Sequence, residues 1–426
     1  MIENKRWESC SMVIGGICLI ILGISVMIFR ATFAITMIEL IASLLIIAGV
    51  FQLVALIFGS NDIKKSVSLS TALLSIIAGE IIQLFPTIPV SIIVMLFGAY
   101  GIMTGGIKLI TYFIYRKDHV KGRVFLLIDA LLFIGIGISL ILTPMARVGQ
   151  LFLLLGLYAM SLGYTYVRDG LELFIPKATK TKYKRMIRIN LPVFLVALLP
   201  YRALRAINKY LSDYEDDGEV TEFLEMKEEV VPDIEVFIHV TKDGYGALGH
   251  VDLYFDNEII SYGNYDEDSF KLMESIGDGI LFITSKEKYI PFCIEHSKKT
   301  LFSYGLKLDE EQYKSVKAKI DELKSRLIPW EPPVLKDPEH PEKYNDYGSL
   351  LVKECDAKLY KFKYSRFKTY FVMSTNCVLL CDSVLGKAGT DLLNINGVIT
   401  PGTYYDYFER EFKKKGSFVV TRAVYK

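Results

Sequence analysis

The chain is poor in cysteine and has no surplus of either charge, and each lack narrows its class. Six cysteines in 426 residues do not form the dense framework of a small secreted domain stapled by disulfides. No two of them stand in Cys-x-x-Cys spacing, so the usual structural zinc signature is missing. Lysine and arginine number 49 against 48 acidic residues, a net charge of +1. No one-signed surface is implied, and no nucleic-acid partner is expected. The N-terminus, Met1-Ile2-Glu3-Asn4-Lys5-Arg6, looks like the basic start of a signal peptide, yet no small-residue cleavage site follows. Residues 10–29 therefore read as a retained span. Nothing in the chain calls for a cofactor, and none is expected.

What the chain has in quantity is apolar sequence. Hydrophobic residues make up 51% and mean hydropathy is +0.32, high for a soluble protein. Residues 9–175 are almost continuously apolar, whereas 205–426 are dense in Lys, Glu, Asp and Tyr. A bilayer-crossing helix needs about 20 mostly apolar residues. Six stretches qualify: 9–29, 32–58, 67–85, 88–115, 122–143 and 146–167. Breaks fall at Arg30-Ala31, 61–65, Pro86-Thr87, 116–123 and Pro144. Tight turns with almost no charge alternate with longer basic ones, as in a repeat of three helix hairpins.

Gly23, Gly79 and Gly137 occupy matching places in the first helix of each hairpin, and Gly49, Gly98 and Gly156 in the second. With the motifs Ala48-Gly49-Val50-Phe51, Phe97-Gly98-Ala99-Tyr100 and Leu155-Gly156-Leu157-Tyr158, residues 10–175 resemble the HdeD-like acid-resistance membrane family. Small residues at these places also suit generic helix packing. Basic residues gather before the first span, in the longer breaks and after the sixth span. This distribution puts both termini in the cytoplasm of an integral membrane protein of bacterial type. Lys108 and Asp129 fall at similar depth and could pair; Glu39 and Glu80 lie toward the other side. Four such residues lining one cavity would suit a transporter, and hydrated positions near the interfaces would suit no special role.

Residues 176–231 read as a junction. A basic stretch, 176–212, with a short apolar core at 191–200 bounded by prolines, suits the headgroup layer and membrane lipids as partners. Acidic runs at 213–217 and 219–229 read as a helical linker. Residues 232–426 then change to period two. Strands are expected at 234–240, 250–255, 258–263, 280–284, 301–308, 350–364, 369–374 and 417–425, and helices at 309–327, after Cys377, and from Thr400-Pro401 to about 413. The expectation is an α+β domain with an antiparallel sheet.

Cys377 is the most informative residue. In Ser374-Thr375-Asn376-Cys377-Val378-Leu379-Leu380-Cys381 it opens a helix just after N-cap residue types. Unpaired N–H groups and the helix dipole there favour thiolate, the nucleophilic form. Of five histidines, His119 and His340 fall in loops, which leaves His239, His250 and His296 as bases; His239, alternating with Glu235 and Phe237, reads as a surface or partly buried strand residue. His250, in Gly249-His250-Val251-Asp252-Leu253-Tyr254-Phe255, sits on an alternating strand and is the expected base. Ordinary burial of Cys377 at the start of an apolar helix is the plain alternative. A zinc site from Cys293, His296, Cys377 and Cys381 is a remoter one, and no metal is expected.

Gly249-His250, then Ser261-Tyr262-Gly263, and much later Thr375-Asn376-Cys377 resemble circularly permuted NlpC-like thiol hydrolases with a papain-like fold. That group includes YiiX-type proteins and lecithin retinol acyltransferase. The resemblance covers 232–426 and implies hydrolysis or transfer at an amide, ester or thioester through an acyl-enzyme. It assigns Cys377 as nucleophile and His250 as base. A two-residue turn at Asp256-Asn257 puts Ser261 on the His250 face, and a bulge would put Asn264 there. Asn264 is taken as the orienting residue, with Ser261 the geometric alternative. Tethering points to a lipid-linked or membrane-protein substrate, and a silent binding or scaffold module is the competing class.

Overall fold

Arg30 interrupts the first apolar stretch. In the computed structural model of this chain, helix α1 (Ile2–Phe58) carries Arg30 at φ 44°, ψ −115°, a conformation costly for any residue with a Cβ. The break divides α1 into two limbs. Helices α2 (Leu69–Leu84), α3 (Thr87–Lys117), α4 (Arg123–Leu142) and α5 (Pro144–Phe174) follow. The interruptions match those expected at Pro86-Thr87, 116–123 and Pro144. The structure describes residues 2–58, 69–174, 222–226, 230–240, 249–296, 299–388, 401–414 and 416–426. The expected break at 61–65, the basic stretch at 176–212 and the acidic run at 213–217 lie outside them. Four of the described helices are long and apolar enough to cross a membrane; α2 is apolar but has 16 residues.

Two compact units emerge: Cys10–Leu109 with Val124–Arg168, and Asp169–Lys426 with Met1–Ser9 and Ile110–Arg123. In the first, glycines let backbones touch. A Cβ on Gly23 would lie 2.6 Å from Gly156 O, and one on Gly156 2.7 Å from Gly23 O. Gly98 and Gly137 interlock in the same reciprocal way, at 2.8 and 2.6 Å. Gly49 meets Ala72 O and Gly79 meets Ala42 O, each at 2.8 Å. These contacts join the first limb of α1 to α5, its second limb to α2, and α3 to α4. In the expected arrangement of three hairpins they run between successive hairpins, and from the last back to the first. Close approach without a Cβ is how helices pack where lipid offers no hydrophobic drive. Lys108 pairs with Asp129 and lies 3.9 Å over the Phe133 ring, as their matched depth allows.

The C-terminal region is α+β with an antiparallel sheet. Strands β1 (Glu222–Met226), β2 (Ile234–Val240), β3 (His250–Phe255), β4 (Glu258–Gly263), β5 (Ile276–Asp278), β6 (Ile280–Thr284), β7 (Thr300–Leu306), β8 (Leu327–Pro329), β9 (Lys358–Phe362), β10 (Thr369–Phe371) and β11 (Val419–Tyr425) are present. Nine of them form one sheet, in the order β1-β11-β7-β2-β3-β4-β6-β9-β8, and β10 pairs with β5. Two expectations are corrected. The acidic run 219–229 contains β1 and not a helix, because Glu222–Met226 pairs along its length with β11 and Glu225 meets Arg422. The first part of 350–364 is helical. Asp346 accepts from Ser349 N–H and starts a helix over Tyr347–Cys355, leaving only Lys358–Phe362 as strand.

Alternation divides the sheet's two faces. Val236, Ile238, Val251, Leu253, Ile260 and Tyr262 pack with helices α7 (Glu310–Lys324), α9 (Cys377–Leu385) and α10 (Pro401–Lys413). Phe237, Ile259 and Phe282 face the other way, onto α6 (Lys286–Pro291), the turn after it and α8 (Tyr347–Cys355). Val378, Leu380, Val384 and Leu385 of α9 are fully buried. At about 1.5–3 kcal/mol for each large apolar side chain, packing fixes where the helix starts far more firmly than its cap does.

Candidate active site

Gly249 holds φ +81°, and a Cβ there would meet Pro401 Cβ at 2.8 Å and His239 O at 3.0 Å. Only glycine fits both demands, so the chain enters β3 in one way and delivers His250 as its first residue. The turn between β3 and β4 is Asp256-Asn257, both residues at positive φ, with Phe255 opposite Glu258. This is the two-residue hairpin, without a bulge. Ser261 therefore shares the His250 face, and its Oγ lies 2.9 Å from His250 Nε2.

Asp252 follows two residues after His250 and so projects from the same face. Its Oδ1 lies 2.8 Å from His250 Nε2, and its side chain has no exposure. The other oxygen, Oδ2, accepts from Tyr289 Oη at 2.8 Å and lies 2.6 Å from His239 Nε2. His239 stands directly opposite His250 in the β2–β3 pair. Burial would raise the Asp252 carboxyl, but the two imidazoles hold it well below the usual carboxylate range. For His250, burial acts downward, yet the Asp252 carboxylate and the Cys377 sulfur together raise it to about 10. His239 goes the other way: burial dominates and lowers it to about 4.

Cys377 opens α9. Asn376 is its N-cap, extended at φ −106°, ψ −179°, and Asn376 Oδ1 accepts from Leu379 N–H at 3.0 Å. The Asn376 amide also donates to Val372 O at 2.8 Å, and Thr375 Oγ1 donates to Thr369 O at 2.9 Å. The loop before the cysteine is thus tied at two points to β10 and the residue after it. Cys381, one turn on, donates to Val251 O at 3.4 Å, which sets the start of α9 over the start of β3. There the Cys377 sulfur is near enough to the His250 imidazole to help hold its proton. Cys377 is 3% exposed. Tyr370 lies beside the same sulfur; burial, then the sulfur, push its phenol well above the ordinary value.

Of the three residues expected to act together, His250 and Cys377 are brought together and Asn264 is not. Without the bulge, Asn264 leaves the sheet and its amide donates to Glu274 O at 3.1 Å. The imidazole nitrogen is met by Asp252 and Ser261 instead, with Tyr265 Oη 3.5 Å away. Asp252 was legible in period two, being the one carboxylate on the face of His250 within its strand. Tyr370 left no local signal, since its meeting with Cys377 depends on how β10 turns into α9. The cysteines grouped as zinc candidates separate: Cys293 packs on one face of the sheet, Cys377 and Cys381 on the other. His296 stacks on Phe292. Among the described residues, no three His, Cys, Asp or Glu side chains gather as metal ligands would. Burial pushes the thiols of Cys293 and Cys355 up to about 12 and that of Cys381 well above its ordinary value.

The arrangement can hold a proton on an imidazole beside a sulfur, with a carboxylate behind the imidazole and two donors, an N–H and a phenol, beside the sulfur. No curated protein and no solved structure matches the chain. Residues 14–83 and 70–142 match a family model described as a short repeat of unknown function (DUF308), a membrane-associated repeat family that includes HdeD-like proteins. The repeat match and the long apolar helices together mark the chain as a membrane protein.

Proposed function

We propose that the C-terminal region is a thiol hydrolase or acyltransferase of the Cys-His type. It would act on an amide, ester or thioester at the cytoplasmic membrane surface. The observation that carries this reading is the meeting of Cys377, His250 and Asp252, with the imidazole kept charged near neutral pH. In this reading the Cys377 sulfur, its proton held by His250, attacks the carbonyl carbon and the C=O π pair moves onto oxygen. The Cys377 N–H, at the helix start, would donate to that oxyanion. Collapse expels the amine, alcohol or thiol, which takes the proton from His250 and leaves an acyl thioester. Water, or an acceptor in a transferase, then gives His250 a proton as it attacks the thioester carbon, and the sulfur is released.

The same reading makes the membrane part six spans in three hairpins, with both termini in the cytoplasm, and the C-terminal region a permuted papain-like fold. Basic loops and the repeat match support the first; the helix-borne cysteine with a strand-borne histidine supports the second. A lipid-linked or membrane-protein substrate follows from tethering. The test is a thiol-reactive probe on the purified full-length protein at neutral pH. Selective labelling of Cys377 over Cys355 and Cys381, abolished by His250→Ala, supports the enzyme. Equally slow labelling of all three supports a silent module and ends the proposal.

A further inference from the structure

A buried carboxylate that orients an imidazole must itself be held, and Asp252 shows how. One oxygen, Oδ1, faces His250; the other takes the Tyr289 hydroxyl and the His239 ring. We propose that His239 is a positioning residue for the thiol site: with Tyr289 it pins the far oxygen of Asp252, so that the near oxygen and the negative charge serve His250 alone. The proposal rests on the thiol-enzyme reading and adds to it a fourth residue that touches neither sulfur nor substrate.

The role requires His239 to be neutral, since a second cation would compete for the same carboxylate. The groups facing it are Asp252 and His250 from β3, Tyr289 from α6 and the ammonium of Lys299. The Lys299 charge and the His250 charge both oppose protonation of His239, in the same direction as its burial. Its Nε2 lies 2.6 Å from Asp252 Oδ2, within ion-pair distance, although neither ring nitrogen is aligned for a regular hydrogen bond among the described residues.

The experiment measures alkylation of Cys377 by iodoacetamide in the detergent-solubilised full chain, by peptide mass spectrometry, from about pH 5 to about pH 10. His239→Leu is expected to slow Cys377 at neutral pH by about tenfold and to move the pH midpoint governed by the imidazole by about one unit. His239→Gln keeps a donor toward Asp252 and is expected to stay within about threefold of wild type. Tyr289→Phe removes one hydroxyl without changing shape and is expected to slow the reaction by about threefold. Wild-type rates and an unmoved profile in both His239→Leu and Tyr289→Phe overturn the proposal. If His239→Leu loses its cooperative melt, Tyr289→Phe decides alone. His250→Ala separates the two levels. If it leaves Cys377 unchanged, the thiol-enzyme reading fails; if it slows Cys377 while His239→Leu and Tyr289→Phe do not, only the positioning role falls.

Discussion

His239 and His250 face one another across adjacent strands, ring centroids 5.4 Å apart and nearly perpendicular, and both reach the single carboxylate of Asp252. The pair is chemically unequal. One ring is kept neutral by burial, the other kept charged by the carboxylate and a sulfur.

Asp252→Asn keeps the shape and removes the charge. The His250 imidazole then loses its main support against burial, and its protonated form empties at neutral pH. Labelling of Cys377 at pH near 7 is expected to fall by about tenfold or more, the scale of an opposite charge at contact distance. Rate constants from quantitative mass spectrometry check this.

The two histidines give stability opposite slopes with pH. The folded value of His239 is below its ordinary 6.5, at about 4. Its contribution is whole above 6.5 and is lost as pH falls toward 4. The His250 value is raised to about 10, so its contribution is whole below 6.5 and is lost as pH rises through 10. Asp252, held well below 3.8, adds its own loss at still lower pH. Melting temperature against pH should fall on both sides of neutrality, with His239→Gln flattening the acid limb and His250→Gln the alkaline one.

Ser261, Asn264 and Asn376 should separate cleanly. Asn264→Ala is expected to leave Cys377 labelling within about twofold, since its amide serves Glu274 O and not the imidazole. Ser261→Ala, which removes a hydroxyl 2.9 Å from Nε2, should slow it by about threefold. Asn376→Ala removes the cap of α9 and should cost about 1 kcal/mol of stability, read in a denaturant or thermal melt.

In the membrane unit, Gly156→Leu should be severe. A Cβ there would meet Met27 Cγ at 2.4 Å and Gly23 O at 2.7 Å, and backbone cannot move aside as a side chain can. A loss of about 1–3 kcal/mol is expected from overpacking. Gly135→Ala, with nothing within 4 Å of the added carbon, should melt like the parent in the same detergent.

Much of this was legible in the sequence because the deciding signals are local. Period two located β2, β3, β4 and β6; Asp256-Asn257 marked the hairpin; the acidic start at 309–312 marked the opening of α7, where the structure adds a capping box of Asp309 with Gln312. The helix start at Cys377 could be read from Asn376. What was hidden depends on contacts distant in sequence. Glu222–Met226 is a strand only because Val419–Tyr425 lies beside it. Asn264 has the better chemistry for holding an imidazole, but register favours Ser261 and Asp252, whose carboxylate stands two residues from the histidine. The repeated glycines announced close packing, but not that the contacts would run between hairpins.

The pairing of β1 with β11 bears on how the chain could be rewired. The strand that enters the C-terminal sheet and the strand that ends it are neighbours, so a short splice between them would let the polypeptide be opened at some other loop with little loss. Whether histidine precedes cysteine is then an accident of where the thread was cut, and the chemistry at their meeting point is indifferent to it.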